Sequence, residues 1–345
     1  MTRRRALPVL PLLIALGASA PASAADTVVA QLPRPSKIRT YAGVQVFSLF
    51  DGSAYRLAIR RNGAVEPLAV APSRAPFDVD IGPDRQGRPE LVYTRCKVEI
   101  PSEETNLNRR CDLYVLSLAG GGERPVRGAN TAANEFAPTL WKGRIAFARA
   151  AKGRDRPVVY TTDAGAPRSR PAQRLPGVPS RARGQRAIGG SVDELELQGN
   201  RLAQIVSFVA EGQLSDVRLV DTSDRSTQRL ARVGVGEGGQ FFTGVGFADG
   251  YLAWAFSWVA GGGELVPGVY RDRLSTGELA RASFPRLVNF QVVGLAPFAA
   301  DGAFMTDADL PTDSGCGELE GTPTPMAREC QLVRATPLRF RSIAG

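Results

Sequence analysis

The stretch Asn134–Ala150, NEFAPTLWKGRIAFARA, constrains the fold of this chain more than any other, because the chain repeats it. It reads as a strand, a tight turn at Lys142-Gly143, and a second strand. In that second strand Ile145 and Phe147 face one way and Ala146 and Ala148 the other, which is the two-residue period of an extended chain. Glycine in the turn accepts the positive φ that a two-residue hairpin requires. The same phrase returns as QGRPELVYTRC, QGNRLAQIVSF, DGYLAWAFSWV and DGAFMTDAD.

Aligning the turn glycines Gly43, Gly87, Gly143, Gly199, Gly250 and Gly302 gives separations of 44, 56, 56, 51 and 52 residues. A period near fifty with short strands in each unit predicts an all-β chain: a six-bladed β-propeller of four-stranded antiparallel blades. The propeller is expected over residues 36–345. Its blades begin near Ser36, Arg74, Ala129, Ile188, Gly236 and Pro285. The chain has 345 residues, 43% of them hydrophobic, enough for a large buried core. The Arg-rich run Arg168–Arg186 also carries Pro, Gly, Ser and Ala, and reads as a solvated, mobile linker into blade four.

The two ends of the repeat array carry their own signal. The sixth blade offers three strands before the chain ends, which would leave an unpaired edge. Residues 25–35 form a leader whose strand Thr27–Leu32 has no blade of its own. Val28, Val29 and Leu32 are therefore expected to pair with the outer edge of the last blade, near Gln331–Arg339, and so to close the ring. The competing arrangement makes Arg339–Ile343 the missing strand.

Residues 1–24 read as a cleaved signal peptide. Arg3, Arg4 and Arg5 form a positive n-region, Ala6–Ala18 an apolar core, and Ala22-Ser23-Ala24 the cleavage site. This predicts a secreted, periplasmic or envelope-associated protein with no membrane span after cleavage. Four cysteines in an exported chain imply disulfides, with three pairings open. Cys111 and Cys330 both open strands, and Cys96 and Cys316 sit at the same place in their repeats. That symmetry favours Cys96–Cys111 and Cys316–Cys330.

The formal net charge is +9, yet the basic residues show no one-sided clustering beyond the linker run, so no nucleic-acid partner is expected. The chain contains no histidine, which excludes His-dependent triads, a histidine base and most catalytic zinc sites. No phosphate-binding or dinucleotide fingerprint appears. No cofactor is expected.

Carboxylates are the remaining chemistry. Asp78 and Asp80 alternate with Phe77, Val79 and Ile81, and Glu194 and Glu196 with Leu195 and Leu197. Both runs precede a turn glycine, which places them at or near the innermost strands, where they can face the central channel. Such acids would hold Ca2+ through oxygen ligands, serve as acid and nucleophile on a sugar, or simply pair with the abundant arginines. Asp307, Asp309 and Asp313 form a second acidic group, read as a solvated loop or a cation site. Trp254, Phe256 and Trp258 share one face of a strand. They read as packing between blades, or as a platform for stacking a sugar.

The repeats resemble the WD40-like, TolB-type β-propeller family. The resemblance is carried by Ala137-Pro138-Thr139-Leu140-Trp141-Lys142-Gly143-Arg144-Ile145-Ala146-Phe147 and by the turns Asp249-Gly250 and Asp301-Gly302. It covers nearly the whole chain after the leader, while the serine of the family's turn motif is missing from most blades. Members mediate protein contacts at cell envelopes or serve as domains of larger proteins. The separate N-terminal domain of the periplasmic TolB proteins has no counterpart in this reading, so their partners are not expected to carry over. The sequence thus predicts an exported non-catalytic module binding a protein or carbohydrate partner. The alternative is a carbohydrate-active enzyme using the channel acids.

Overall fold

The computed structural model describes residues 27–33, 36–97, 110–151, 154, 156–182, 184–210, 212–235, 241–259, 265–283, 290–309 and 330–343. Among these there is no helix, and the strands form a six-bladed β-propeller.

The chain enters through β1 (Thr27–Leu32). Blade one is β2 (Ile38–Tyr41), β3 (Val44–Phe50), β4 (Tyr55–Arg61) and β5 (Ala64–Pro67). Blade two is β6 (Val79–Pro83), β7 (Pro89–Cys96), β8 (Cys111–Ser117) and β9 (Arg124–Pro125). Blade three is β10 (Asn134–Trp141), β11 (Arg144–Ala150), β12 (Val158–Asp163) and β13 (Gln173–Leu175). A two-stranded hairpin, β14 (Arg181–Ala182) with β15 (Gln185–Arg186), follows. Part of the arginine-rich run is thus paired backbone, not the unstructured linker its composition suggested.

Blade four is β16 (Ile188–Gln198), β17 (Arg201–Val209), β18 (Gln213–Asp221) and β19 (Thr227–Val235). Blade five is β20 (Phe241–Ala248), β21 (Tyr251–Val259), β22 (Leu265–Arg273) and β23 (Glu278–Ser283). The sixth blade has β24 (Phe290–Ala299), β25 (Gly302–Asp309) and β26 (Cys330–Ala335), with β1 hydrogen-bonded to β26 as its fourth strand. In that ladder Thr27 lies opposite Arg334, Val28 opposite Val333, and Leu32 opposite Cys330. Val29 falls in the register shift between Val28 and Ala30. The last strand, β27 (Arg341–Ser342), pairs with β23 at the outer edge of blade five, so it is not the fourth strand of blade six.

The first strand of each blade touches the first strand of the next: β2, β6, β10, β16, β20, β24 and back to β2. These six strands line a central channel. The hairpin after the first strand is tight because both of its residues are left-handed. Lys142 and Gly143 have φ of 49° and 72°, the geometry of the turn whose twist matches antiparallel strands. Gly302 departs from the pattern: it opens β25 and has no positive φ. Packing around the channel is close enough to dictate residue size. A Cβ on Gly82 would lie 2.0 Å from the Leu140 carbonyl oxygen of the next blade.

Between blades the core is built from large faces against small ones. Trp254 and Phe256 of β21 pack against Ala203, Ile205 and Val217 of blade four. The opposite face of β21, Ala253 and Ala255, packs against Leu295 and Met305 of blade six. Trp254 is 1% exposed and stacks on Tyr270 at 5.9 Å, so it is core and no sugar platform. The Trp258 side chain lies outside the described residues. Cys96 and Cys111 face each other across the β7–β8 ladder and form a disulfide. The Cys316–Cys330 pairing lies outside the described residues.

Candidate functional site at the channel centre and its mouth

The channel strands bring together charges that are far apart in sequence. Arg39 of β2 is 6% exposed and reaches into the channel centre. Its Nε lies 3.2 Å from Glu196 Oε2 and 3.7 Å from Asp80 Oδ1, and its Nη1 pairs with Glu194 Oε1. Nη1 also donates to the Ile38 carbonyl (3.1 Å) and Nη2 to the Leu195 carbonyl (3.4 Å). One guanidinium from blade one therefore holds carboxylates from blades two and four.

Thr139 of β10 continues the link. Its hydroxyl donates to Asp80 Oδ2 (2.8 Å) and accepts from the Leu197 amide (2.9 Å). The Leu140 amide also donates to Asp80 Oδ2 (2.7 Å). Nearby, Lys37 Nζ donates to the Asp193 carbonyl at 2.7 Å, a second tie between blades one and four. The four blades one to four are thus stitched at the axis by polar groups. Ionic attraction dominates over direction here: Arg39 Nε, Asp80 Oδ1, Glu194 Oε1 and Glu196 Oε2 are buried without an aligned hydrogen bond.

Three carboxylates against one guanidinium is an acidic excess in a poorly solvated place, where neighbouring charges interact strongly. Burial pushes Glu196 well above the usual carboxylate range, and the charges of Asp80 and Glu194 add to this; Arg39 opposes it. Burial also raises Asp80, against the pull of Arg39 and of its hydrogen bonds from Leu140 and Thr139. For Arg39 burial works downward, but Glu194, Glu196 and Asp80 outweigh it and hold the guanidinium above its ordinary value.

Of the four acids marked in the sequence, the structure gathers Asp80, Glu194 and Glu196 on Arg39. Asp78 stands apart: it precedes β6, and its Oδ2 accepts from the Ala137 amide at 3.4 Å. Among the described residues no group of three or more acids is arranged to hold a metal ion. A Ca2+ ion at the channel centre would have to displace the guanidinium that the carboxylates already hold. Asp307 and Asp309 end β25, their side chains outside the description, and Asp313 lies outside the described residues.

Sequence reasoning missed Arg39 and Thr139. A signal was present: each stands four residues before its turn glycine, Gly43 and Gly143, and so at the same height on the innermost strand.

The channel opens, on the side of the first hairpin turns, into a cavity of about 770 Å3. Its walls include Tyr41, Trp141 and Phe298; Glu196, Gln198 and Asp249 supply polar groups. Tyr41 and Trp141, from blades one and three, meet edge to face at 6.3 Å. Glu196, 19% exposed, belongs both to the buried cluster and to this cavity.

No family model matches the chain, and no curated protein does. Among solved structures it is similar to TolB from Acinetobacter baumannii, at 16% identity over 87% of this chain and 66% of that one, with a TM-score of 0.46. It is also similar to a chain of a nidogen/laminin complex, at 11% identity over 72% and 74% of the two chains, with a TM-score of 0.38. The chain spans 66% of the length of the TolB chain it matches. The class defined by its own strands is the six-bladed β-propeller, and its reading rests on its own residues.

Proposed function

We propose that this chain is an exported, non-catalytic binding module that takes a protein or carbohydrate partner at the channel mouth. The observation that carries this reading is the state of the channel acids. Asp80 and Glu194 are buried and ion-paired to Arg39, so two of the three acids gathered at the channel centre are committed to holding the ring and do not face the cavity. The mouth itself offers partly exposed aromatic rings and a few polar groups on a rigid frame, the usual make-up of a ligand site. Export is supported by the leader at residues 1–24 and by the Cys96–Cys111 disulfide, a bond kept in oxidising compartments.

The second reading, a carbohydrate-active enzyme, is favoured by one observation. Glu196 lines the cavity with its carboxyl held above the ordinary range, as a general acid requires. One experiment separates the two. The protein without residues 1–24 is tested for capture of envelope or culture-fluid components, and for release of reducing ends from a glycan panel. We expect capture that is lost in Trp141→Ala, with no hydrolysis. Hydrolysis abolished by Glu196→Gln would replace the binding reading with the enzymatic one.

A further inference from the structure

A second cavity, of about 550 Å3, lies on the opposite face of the ring, between the outer parts of blades two and three. The mouth is bounded by the β10–β11 turn at Trp141, whereas this cleft is bounded by Arg149 at the other end of the same hairpin. Its charged lining is lopsided. Among the described residues Lys97, Arg127, Arg149 and Arg168 face it, against Asp112 alone.

The four cations are not equivalent. Arg149 is committed: its Nε donates to Glu135 Oε1 at 2.8 Å, and its plane lies 4.5 Å from the centre of the Tyr160 ring. Lys97 is held loosely by Asp112, Nζ to Oδ2 3.4 Å, with its own side chain 70% exposed. Arg127 and Arg168 are exposed, and neither side chain has a hydrogen bond or ion pair among the described residues. They come from different blades: Arg127 from the segment after β9, Arg168 from the segment between β12 and β13.

We propose that this cleft binds a small ligand bearing two or more oxyanion groups, phosphate or carboxylate, gripped by Arg127 and Arg168 from the two blades and supported by Lys97. A guanidinium presents a planar fork of donors that matches a carboxylate or phosphate in two parallel hydrogen bonds. Single exposed ion pairs in water contribute little, so recognition needs several at once. Two exposed forks from different blades, without a partner among the described residues, line one cavity and meet that need. The volume is that of a small-molecule site. A nucleic acid fits less well: the positive charge is confined to one inter-blade cavity and does not run as a stripe along a face.

The test is calorimetric titration of the oxidised protein with pyrophosphate, citrate and, as a monovalent control, chloride, all at matched ionic strength. Saturable binding of pyrophosphate alone identifies a phosphate ligand, of citrate alone a carboxylate ligand, and of both the shared chemistry. The doubly substituted Arg127→Ala/Arg168→Ala protein should lose at least about tenfold in affinity, the effect of about 1.4 kcal/mol. Arg85 and Arg170, which pair with Asp163 at 3.5 and 3.4 Å in the neighbouring cavity, provide the control. Arg85→Ala/Arg170→Ala should bind as the unsubstituted protein does. The proposal is overturned if neither polyanion binds saturably, or if both double variants lose affinity equally, since either result reduces the effect to net charge.

Discussion

The channel centre and the cleft between blades two and three are both built from mismatched charge, with opposite sign and opposite access to water. At the centre three carboxylates meet one arginine, and all four groups are largely buried. In the cleft, among the described residues, four cations meet one lining carboxylate, and Arg127 and Arg168 are exposed and have no partner. Burial makes an unpaired charge costly, so the centre recruits its counter-charge from another blade and its surplus acid has its pKa raised. Water removes that pressure in the cleft, where a guanidinium can remain unpaired at little cost. Charge in the first place therefore fastens blades; charge in the second is free to meet something from outside.

The sharpest way to break this contrast is to remove the central cation. Arg39→Ala leaves three buried carboxylates facing each other, and breaking a buried pair in this way costs about 3–5 kcal/mol. Arg39→Met retains some of the packing and should cost less. Calorimetric or denaturant unfolding checks both, and an Arg39→Ala protein as stable as the parent would show that the centre holds nothing together. Arg127→Ala should by contrast change stability by less than about 0.5 kcal/mol, as exposed substitutions do.

A smaller effect should follow from loosening the ring without touching either charge set. Removing residues 27–33 deletes the strand on β26 and exposes the surface that Leu32, 5% exposed, now covers. Loss of that one side chain's burial is worth about 2 kcal/mol, and the thermal midpoint should fall by several degrees. An unchanged melting curve would mean that β1 contributes nothing to closure. Anion binding in the cleft, two blades away, should be unaffected.

Next in size is a pH dependence that belongs to the centre alone. Glu196 has its folded-state pKa raised well above 4.5, and Asp80 its own above 3.8. The folded chain therefore keeps protons that the unfolded chain has already released. Their contribution to stability is complete below the unfolded values and is lost as pH rises from about 4.5 through the folded value, by at most about 1.4 kcal/mol per pH unit for one proton. Asp84 and Asp221 work the other way: hydrogen bonds donated by the Arg88 and Gln86 amides to the first, and by Ser223 to the second, hold them low. The difference between the parent and Glu196→Gln isolates the central proton. The variant should lose the downward slope that begins above about pH 4.5; parallel stability curves would remove Glu196 from the account.

The blades were legible in the sequence because their signals are local. Alternation within β11 or β17 and a left-handed pair such as Lys142-Gly143 need only neighbours in the chain. What stayed hidden was either too short or too distant. Ile38–Tyr41 is four residues with two polar side chains, and only its position opposite Gln45, Val46 and Phe47 makes it a strand. Ala182 and Gln185 pair within a stretch whose composition says loop. The acids of β6 and β16 could be placed near the channel from their turn glycines, but their convergence on Arg39 depends on the curvature of the whole ring. No periodicity reports that curvature. Arg127 and Arg168 read as ordinary solvated arginines for the same reason: the wall that puts them in one cavity is made by two blades.

The smallest predicted effect carries the opposite sign from the others. Asp112 is the one carboxylate lining the cleft among the described residues, and it holds Lys97 at 3.4 Å in a pair whose lysine end is 70% exposed. Such a pair contributes between zero and about 1 kcal/mol, so Asp112→Asn should leave folding almost unchanged. It should nevertheless strengthen binding of pyrophosphate or citrate, by roughly two- to fivefold. It frees the Lys97 ammonium and removes the only negative charge that faces the ligand among the described residues, while the amide keeps the shape of the wall; a gain of about 0.4–1 kcal/mol corresponds to that range. Raising the salt concentration should shrink the gain, because the charges lie in solvent and are screened over about 10 Å at 0.1 M. If Asp112→Asn binds the polyanion no better than the parent at low salt, the cleft's charge surplus does not govern what enters it. The contrast with the centre, where three carboxylates gather on one buried arginine, would then rest on burial alone.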